Sequence, residues 1–162
     1  MPAKMDRSPE PRCSIARSLQ VLGERWTLLI IRDAVASHTR FADFRDSLGI
    51  ASDLLTNRLN TLVEAGVMER RPYRELGARV RHSYHLTPAG EELVTVLASL
   101  QQWGDVNRPH EDGPPVLRRS RSSGRSIRVA FVDDTGTIVP REDVDLVYAD
   151  GVIPARSPSG DG

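Results

Sequence analysis

The stretch Ile50-Ala51-Ser52-Asp53-Leu54-Leu55-Thr56-Asn57-Arg58-Leu59-Asn60-Thr61-Leu62-Val63-Glu64-Ala65-Gly66 decides the fold. It reads as one helix with a start and a stop. Ser52 is expected as the N-cap, its hydroxyl accepting from an otherwise unpaired N–H of the first turn. Asp53 then puts negative charge at the positive end of the helix dipole. Gly66 supplies a left-handed residue to end the helix. At about 100° per residue, Leu55, Leu59, Leu62 and Val63 share one face, with Leu54 at its edge. Asp53, Asn57, Asn60 and Glu64 share the other, flanked by Thr56 and Thr61. Glu and Lys are common on such surface faces; here Asn and Thr dominate. Their short donors and acceptors match base edges in a DNA major groove. On this helix alone a plain solvated face is an equal reading, so the flanking sequence decides.

Upstream, residues 13–22 read as a short helix with Ile15, Leu19 and Leu22 as an apolar stripe and Gly23 as its end. Residues 26–36 read as a helix apolar on nearly all sides, hence the central core element, with Arg32 and Asp33 as exceptions. Residues 37–40 form a turn. A third helix covers Phe41 to Leu48, and Gly49 stops it. A short helix, a tight Gly-containing turn and a second helix with a polar face make a helix-turn-helix, whose second helix enters the major groove.

Downstream, residues 67–70 read as a strand, 72–78 as a loop and 80–86 as a returning strand. Within 70–81, five arginines (Arg70, Arg71, Arg74, Arg79, Arg81) against Glu75 alone make the hairpin a basic wing suited to the phosphate backbone or minor groove. Thr87-Pro88 caps and opens a fifth helix of about 16 residues, ~24 Å at 1.5 Å per residue. Its stripe of Leu93, Val96, Leu97, Leu100, Trp103 and Gly104 exceeds what one small core needs, so part of it is expected at a dimer interface.

From Arg108 the composition changes. Residues 109–125, rich in Pro, Ser and Arg, read as a linker. Residues 126–149 read as a β-hairpin extension around Asp133-Asp134-Thr135-Gly136, with a further short strand over 142–148. The hairpin is expected to pack on the dimer region, since alone it is unstable in water. Residues 1–12 read as a flexible N-terminal arm and 150–162 as a disordered tail. The winged helix-turn-helix domain with its terminal dimerisation helix spans 13–108.

Net charge is zero over 162 residues, so the whole chain does not argue for nucleic acid; the local basic stripe does. Of 22 basic residues 21 are Arg, which favours forked contacts to phosphate or guanine. A single cysteine, Cys13, excludes an internal disulfide and a cysteine-based metal site within the chain. No metal or cofactor is expected. No apolar run approaches membrane-spanning length and no signal peptide is visible, so no membrane partner and a cytoplasmic location are expected. No nucleophile–histidine–acid order, carboxylate pair on one helical face or phosphate-cradling Gly loop is found, and the chain reads as no enzyme.

In this order and spacing the motifs resemble a known family. They are Cys13 with Ile15 and Arg17-Ser18-Leu19, then Leu22-Gly23-Glu24-Arg25-Trp26 running on to Arg32-Asp33. Arg40-Phe41-Ala42-Asp43-Phe44 and Leu54-Leu55-Thr56-Asn57-Arg58-Leu59 follow, then Leu62 to Val67 and Tyr73. Val80-Arg81, Tyr84-His85-Leu86-Thr87-Pro88-Ala89-Gly90 and Trp103-Gly104 complete the set. The chain is similar to the HxlR-type winged helix-turn-helix transcriptional regulators, which are related to MarR-like regulators, from about residue 13 to 104. Ser14 replaces the Pro common after the cysteine, and the tail after Arg125 lies outside the pattern.

The fold class expected is therefore mainly α with a small β wing (α+β), a winged helix-turn-helix DNA-binding domain plus a C-terminal β-hairpin extension. The resemblance implies a homodimer on a pseudo-palindromic operator of double-stranded DNA, with the terminal helices as the interface. It also implies regulation by a small reactive compound acting as effector. The DNA-contact candidates are Arg40, Ser52, Thr56, Asn57, Arg58, Asn60, Thr61, Arg74, Arg79 and Arg81. Thr56, Asn57 and Asn60 are expected to face the groove. Arg58 lies at the flank, suited to a phosphate or to an ion pair with a nearby acid. Dimer-interface candidates are Ile15, Leu19, Leu93, Val96, Leu97, Leu100 and Trp103. Cys13 follows Arg12 near a helix start, a setting that raises thiol reactivity, and is the candidate redox sensor beside the alternative of a small packed residue. The competing reading of the whole is a winged-helix protein-interaction module without sequence-specific DNA binding.

Overall fold

The computed structural model describes residues 13–77 and 79–147. The expected N-terminal arm, 1–12, and tail, 150–162, lie outside the described residues. The chain divides into two compact units, one running to Val116 and one from Leu117 on. The boundary between them falls inside the segment 109–125 expected as a linker. Its first part belongs to the first unit, where Gln101 Nε2 donates to the Val116 carbonyl at 2.7 Å. Its second part forms a hydrogen-bonded loop of the second unit.

The first unit contains five helices and a two-stranded antiparallel sheet. The helices are α1 (Ser14–Leu22), α2 (Arg25–Val35), α3 (Phe41–Leu48), α4 (Ser52–Glu64) and α5 (Pro88–Asn107); the strands are β1 (Met68–Tyr73) and β2 (Arg81–Leu86). Ile30, Ile31, Phe44, Ile50, Leu55, Leu59, Leu62, Val67 and Met68 form its core. As expected from its apolar sequence, α2 is central, touching α1, α3, α4, α5 and β2. It is not apolar on all sides, however: Arg32 and Val35 are exposed, and Thr27 and Asp33 are buried among the apolar groups. Asp33 is held by Arg32, whose Nη2 lies 2.7 Å away. Gly23 closes α1 with an ordinary right-handed φ of −66°, not as a left-handed cap, because the chain turns directly into α2.

The start of α4 differs from the expected one. The N-cap is Ala51, with extended backbone and no side-chain cap, and Ser52 is the first helical residue. The entry is set by apolar groups: Ile50 before the cap and Leu55 in the first turn lie in the same buried cluster, a hydrophobic staple. Gly66 ends the segment with φ of 70°, as its position predicts.

The wing strands pair from Met68 opposite Leu86 to Tyr73 opposite Arg81. β1 is longer than expected because Pro72 is tolerated on an outer strand, where its missing N–H costs no ladder bond. Thr87 caps α5 as expected, its Oγ1 accepting from the Gly90 N–H at 3.2 Å and donating to the Gly66 carbonyl at 2.6 Å. This ties the end of α4 to the start of α5. Gly90 is required there, because a Cβ would come within 2.2 Å of the Val67 carbonyl oxygen. With 20 residues, α5 exceeds its expected length.

The second unit holds β3 (Phe131–Val132) and β4 (Ile138–Val139), antiparallel. The expected hairpin is present but short. Its turn is organised by Asp133, whose Oδ1 accepts from Thr135 N, Thr135 Oγ1 and Thr137 N at 2.7–2.9 Å. These bonds, the Thr135 hydroxyl first, hold the Asp133 carboxyl below its ordinary pKa. The strand expected over 142–148 is absent over its described residues. Pro140 leads instead into a 3-10 turn, Arg141–Asp143.

Candidate nucleic-acid interface

α3, the Gly49 turn and α4 form the helix-turn-helix. Gly49 adopts φ of 60°, a left-handed geometry that favours glycine, and lets the chain reverse between the helices. Burial of Leu55, Leu59 and Leu62 fixes the rotation of α4, so Ser52, Asp53, Thr56 and Asn57 are exposed. The Thr56 hydroxyl donates to the Ser52 carbonyl at 2.9 Å and the Thr61 hydroxyl to the Asn57 carbonyl at 3.0 Å. The exposed Thr56 keeps its methyl and lone pairs for an outside contact, suited to a thymine methyl or a base N–H. Asn57 makes no side-chain hydrogen bond among the described residues, and its amide matches the N6/N7 edge of adenine.

Three candidates are engaged or partly covered within the chain, Arg58 in an ion pair of the kind its flank position allowed. Asn60 is half-buried and its Oδ1 accepts from Arg70 Nη2, so it braces the base of the wing instead of facing outward freely. Arg70 also sits over the Tyr84 ring at 5.9 Å, which joins α4 to both wing strands. Arg58 pairs with Glu24, Nη2 to Oε2 3.2 Å, and is mostly covered; it is a strut between α4 and the start of α2. Thr61 is half-buried.

Arg40 sits where α3 begins. Its backbone N–H donates to Asp43 Oδ2 at 3.0 Å, and its guanidinium reaches Glu75 Oε1 at 3.0 Å while lying 5.1 Å from the Tyr73 ring centre. Residue 40 also bridges to Ser83, and Tyr84 N–H donates to the Thr39 carbonyl at 2.7 Å. The wing is therefore stitched to the helix-turn-helix along the chain entering α3. Arg40, Phe41, Tyr73, Arg81, His82 and Tyr84 line a shallow groove of about 440 Å³ there. Arg74, Arg79 and Arg81 are exposed toward the outer end of the wing. Glu75 and Tyr73 were not foreseen as part of the site. Their signal lies in contacts 33 and 35 residues from Arg40, beyond any local pattern.

Along α5 the apolar stripe divides. Leu93 and Leu97 are half-buried and pack against the chain's own core. Val96, Leu100, Trp103 and Val106 of α5 are exposed, as are Ile15 and Leu19 of α1, with Trp103 at 59% and Ile15 at 71%. Gly104 meets no heavy atom within 4 Å of an added Cβ. Cys13 is exposed immediately before α1.

Residues 21–112 match the HxlR-like helix-turn-helix family profile. The chain belongs to that family. This HxlR-like protein is 42% identical over 111 residues to the HTH-type transcriptional regulator Mb3122 of Mycobacterium bovis, covering 68% of this chain and 69% of that protein. The same figures hold for Rv3095 of Mycobacterium tuberculosis. Among solved structures it is similar to PA1607, a candidate transcription factor, at 35% identity and TM-score 0.74, over 86% of this chain and 97% of that one. It is similar to PA1374 from Pseudomonas aeruginosa at 38% identity and TM-score 0.61, over 88% and 96%. These two matches are longer than the first unit alone could supply. The match to the redox regulator HypR in its reduced form covers 59% of this chain and 94% of that one, at 26% identity and TM-score 0.54. The HxlR-like protein is a transcriptional regulator with a winged helix-turn-helix domain. Among the described residues, no helix is long and apolar enough to cross a membrane.

Proposed function

We propose that the protein acts as a homodimer on a pseudo-palindromic operator in cytoplasmic DNA. The observation that carries this reading is the exposed Ser52–Thr56–Asn57 face of α4 beside a wing whose outer end is exposed arginine. Thr56 and Asn57 read bases in the major groove. Arg79 and Arg81 hold phosphate or the adjacent minor groove, and Arg74 extends the same edge. Arg40 joins them once a phosphate displaces Glu75. The exposed stripe on α1 and α5 meets its equivalent in a second copy, placing two α4 helices about one turn, ~34 Å, apart on one side of the duplex. Electrophoretic shift of the chain's own upstream region, with competitor DNA at low salt, tests the reading. A shift selective for one sequence is expected. Its absence, with retained binding of a protein partner, would favour the interaction module.

Effector control centres on Cys13. The solved structures this chain is similar to include the redox regulator HypR and the transcriptional regulator YodB, each in its reduced form. In this chain Cys13 is exposed and adjoins the proposed dimer helix α1. Oxidation or alkylation there is expected to weaken operator binding by at least tenfold in the wild type and by less than twofold in Cys13→Ser, read as the operator Kd before and after diamide treatment. Equal responses in the two proteins would remove Cys13 from the regulation.

A further inference from the structure

The second unit carries a charge concentration that the winged unit does not use. Residues 118–128 contain Arg118, Arg119, Arg121, Arg125 and Arg128 and no acid, giving +5 in a chain of zero net charge. The segment is a built loop. Ile127 N–H donates to the Arg118 carbonyl at 3.1 Å, Ser120 N–H to the Arg125 carbonyl at 2.9 Å and Gly124 N–H to the Ser120 carbonyl at 2.9 Å. Residues 119 and 126 form an antiparallel bridge, and Gly124 reverses the chain with φ of 67°. Ser123 N–H donates to Ser120 Oγ at 3.2 Å. A loop fixed in this way presents its guanidinium groups at a lower ordering cost than a flexible tether.

Among the described residues the loop arginines have no acidic partner. In the winged unit Arg40, Arg58 and Arg71 are each neutralised, by Glu75, Glu24 and Glu69. Among the described residues none of the five loop arginines makes an ion pair with Asp133, Asp134, Glu142, Asp143 or Asp145 of the same unit. A protein partner would need apolar or aromatic anchors at a dry centre, and the loop offers only Ile127 and no aromatic. A phosphate backbone needs only cations, hydroxyls and N–H groups, and the arginine fork fits it bidentately.

We infer that loop 118–128 is a second DNA contact, gripping backbone phosphates without reading bases. It rests on the DNA-binding reading proposed above.

The test uses the full chain, an Arg119→Gln/Arg121→Gln/Arg125→Gln variant and the matching triple Lys variant. Arg118 is spared because it is partly covered. Each protein is titrated with the shifted upstream duplex, a random-sequence duplex of equal length and polyglutamate, across a salt series. The expected result is a loss of at least tenfold in affinity for both duplexes at low salt in the Gln variant. The log Kd–log salt slope falls by about three per chain bound. The ratio of specific to random affinity stays unchanged, and the Lys variant restores most of the slope. An unchanged slope with retained sequence selectivity would overturn the loop's role and leave the operator reading standing. A loop-dependent slope without sequence selectivity would do the reverse. Loop-dependent binding of polyglutamate with an unchanged duplex slope would assign the loop to an acidic protein, and failure to bind any duplex would sink both.

Discussion

Leu59→Ala is expected to destabilise the first unit by about 2–5 kcal/mol, the range for a fully buried leucine that leaves a cavity. Leu59 has no exposed surface and lies midway along α4, between Leu55 and Leu62, in the cluster that α2 and Phe44 complete. A domain of this size has about 5–15 kcal/mol in total, so the variant should melt much earlier and be partly unfolded near 37 °C. The loss also reaches function, because the burial of Leu59 sets which side of α4 faces outward. Urea unfolding followed by far-ultraviolet circular dichroism measures the effect. Leu54→Ala, at the half-buried edge of the same face, should cost clearly less. Equal costs would mean that the face of α4 assigned to the core is wrong.

The second large effect concerns association. Leu100→Glu combined with Trp103→Glu should leave the monomer folded, since Leu100 is 49% and Trp103 59% exposed. It should abolish the dimer. Burying a leucine-sized side chain contributes about 1.5–3 kcal/mol, and two charges per chain forced into such a surface reverse that gain and add desolvation. Loss of the second half-site contact should then weaken operator binding by about 10²-fold or more, the lower end of what bivalency supplies. Analytical ultracentrifugation and a melting curve separate the outcomes. A monomer with an unshifted melting temperature is expected. A dimer that survives would move the interface elsewhere, with the exposed apolar groups of the second unit, such as Phe131 and Val132, next in line.

Local periodicity made much of this legible. The spacing of Leu55, Leu59 and Leu62 placed α4 and its buried face, and Thr87 with Pro88 placed the start of α5, because those signals act within one helical turn. The stop signals at Gly49 and Gly66 were legible for the same reason. What sequence could not supply was contact across the fold. Asn60 was expected in the groove, but the wing folds back and brings Arg70 to it. Arg40 is a DNA-contact candidate by sequence, and the Glu75 that neutralises it comes from the wing, 35 residues away. Leu93 and Leu97 fell on the same stripe as Leu100, and only the position of the core beneath them separates the two sets. Ser52 had the right chemistry for a cap, but burial of Ile50 fixed the chain one residue earlier. In the second unit, Val144, Leu146 and Val147 suggested a strand. With Pro140 opening a 3-10 turn, no described strand pairs with them.

The central claim is that α4 reads bases while the wing holds phosphate. Binding of wild type, Asn57→Ala and Arg81→Gln to a library of single-base variants of the operator, across a salt series, tests it most directly. Asn57→Ala should lose about 1–3 kcal/mol of discrimination at one base pair in each half-site with its salt slope unchanged. Arg81→Gln should weaken all sequences alike and lower the slope by about one. Uniform weakening by Asn57→Ala, with no base position relaxed, would contradict the account.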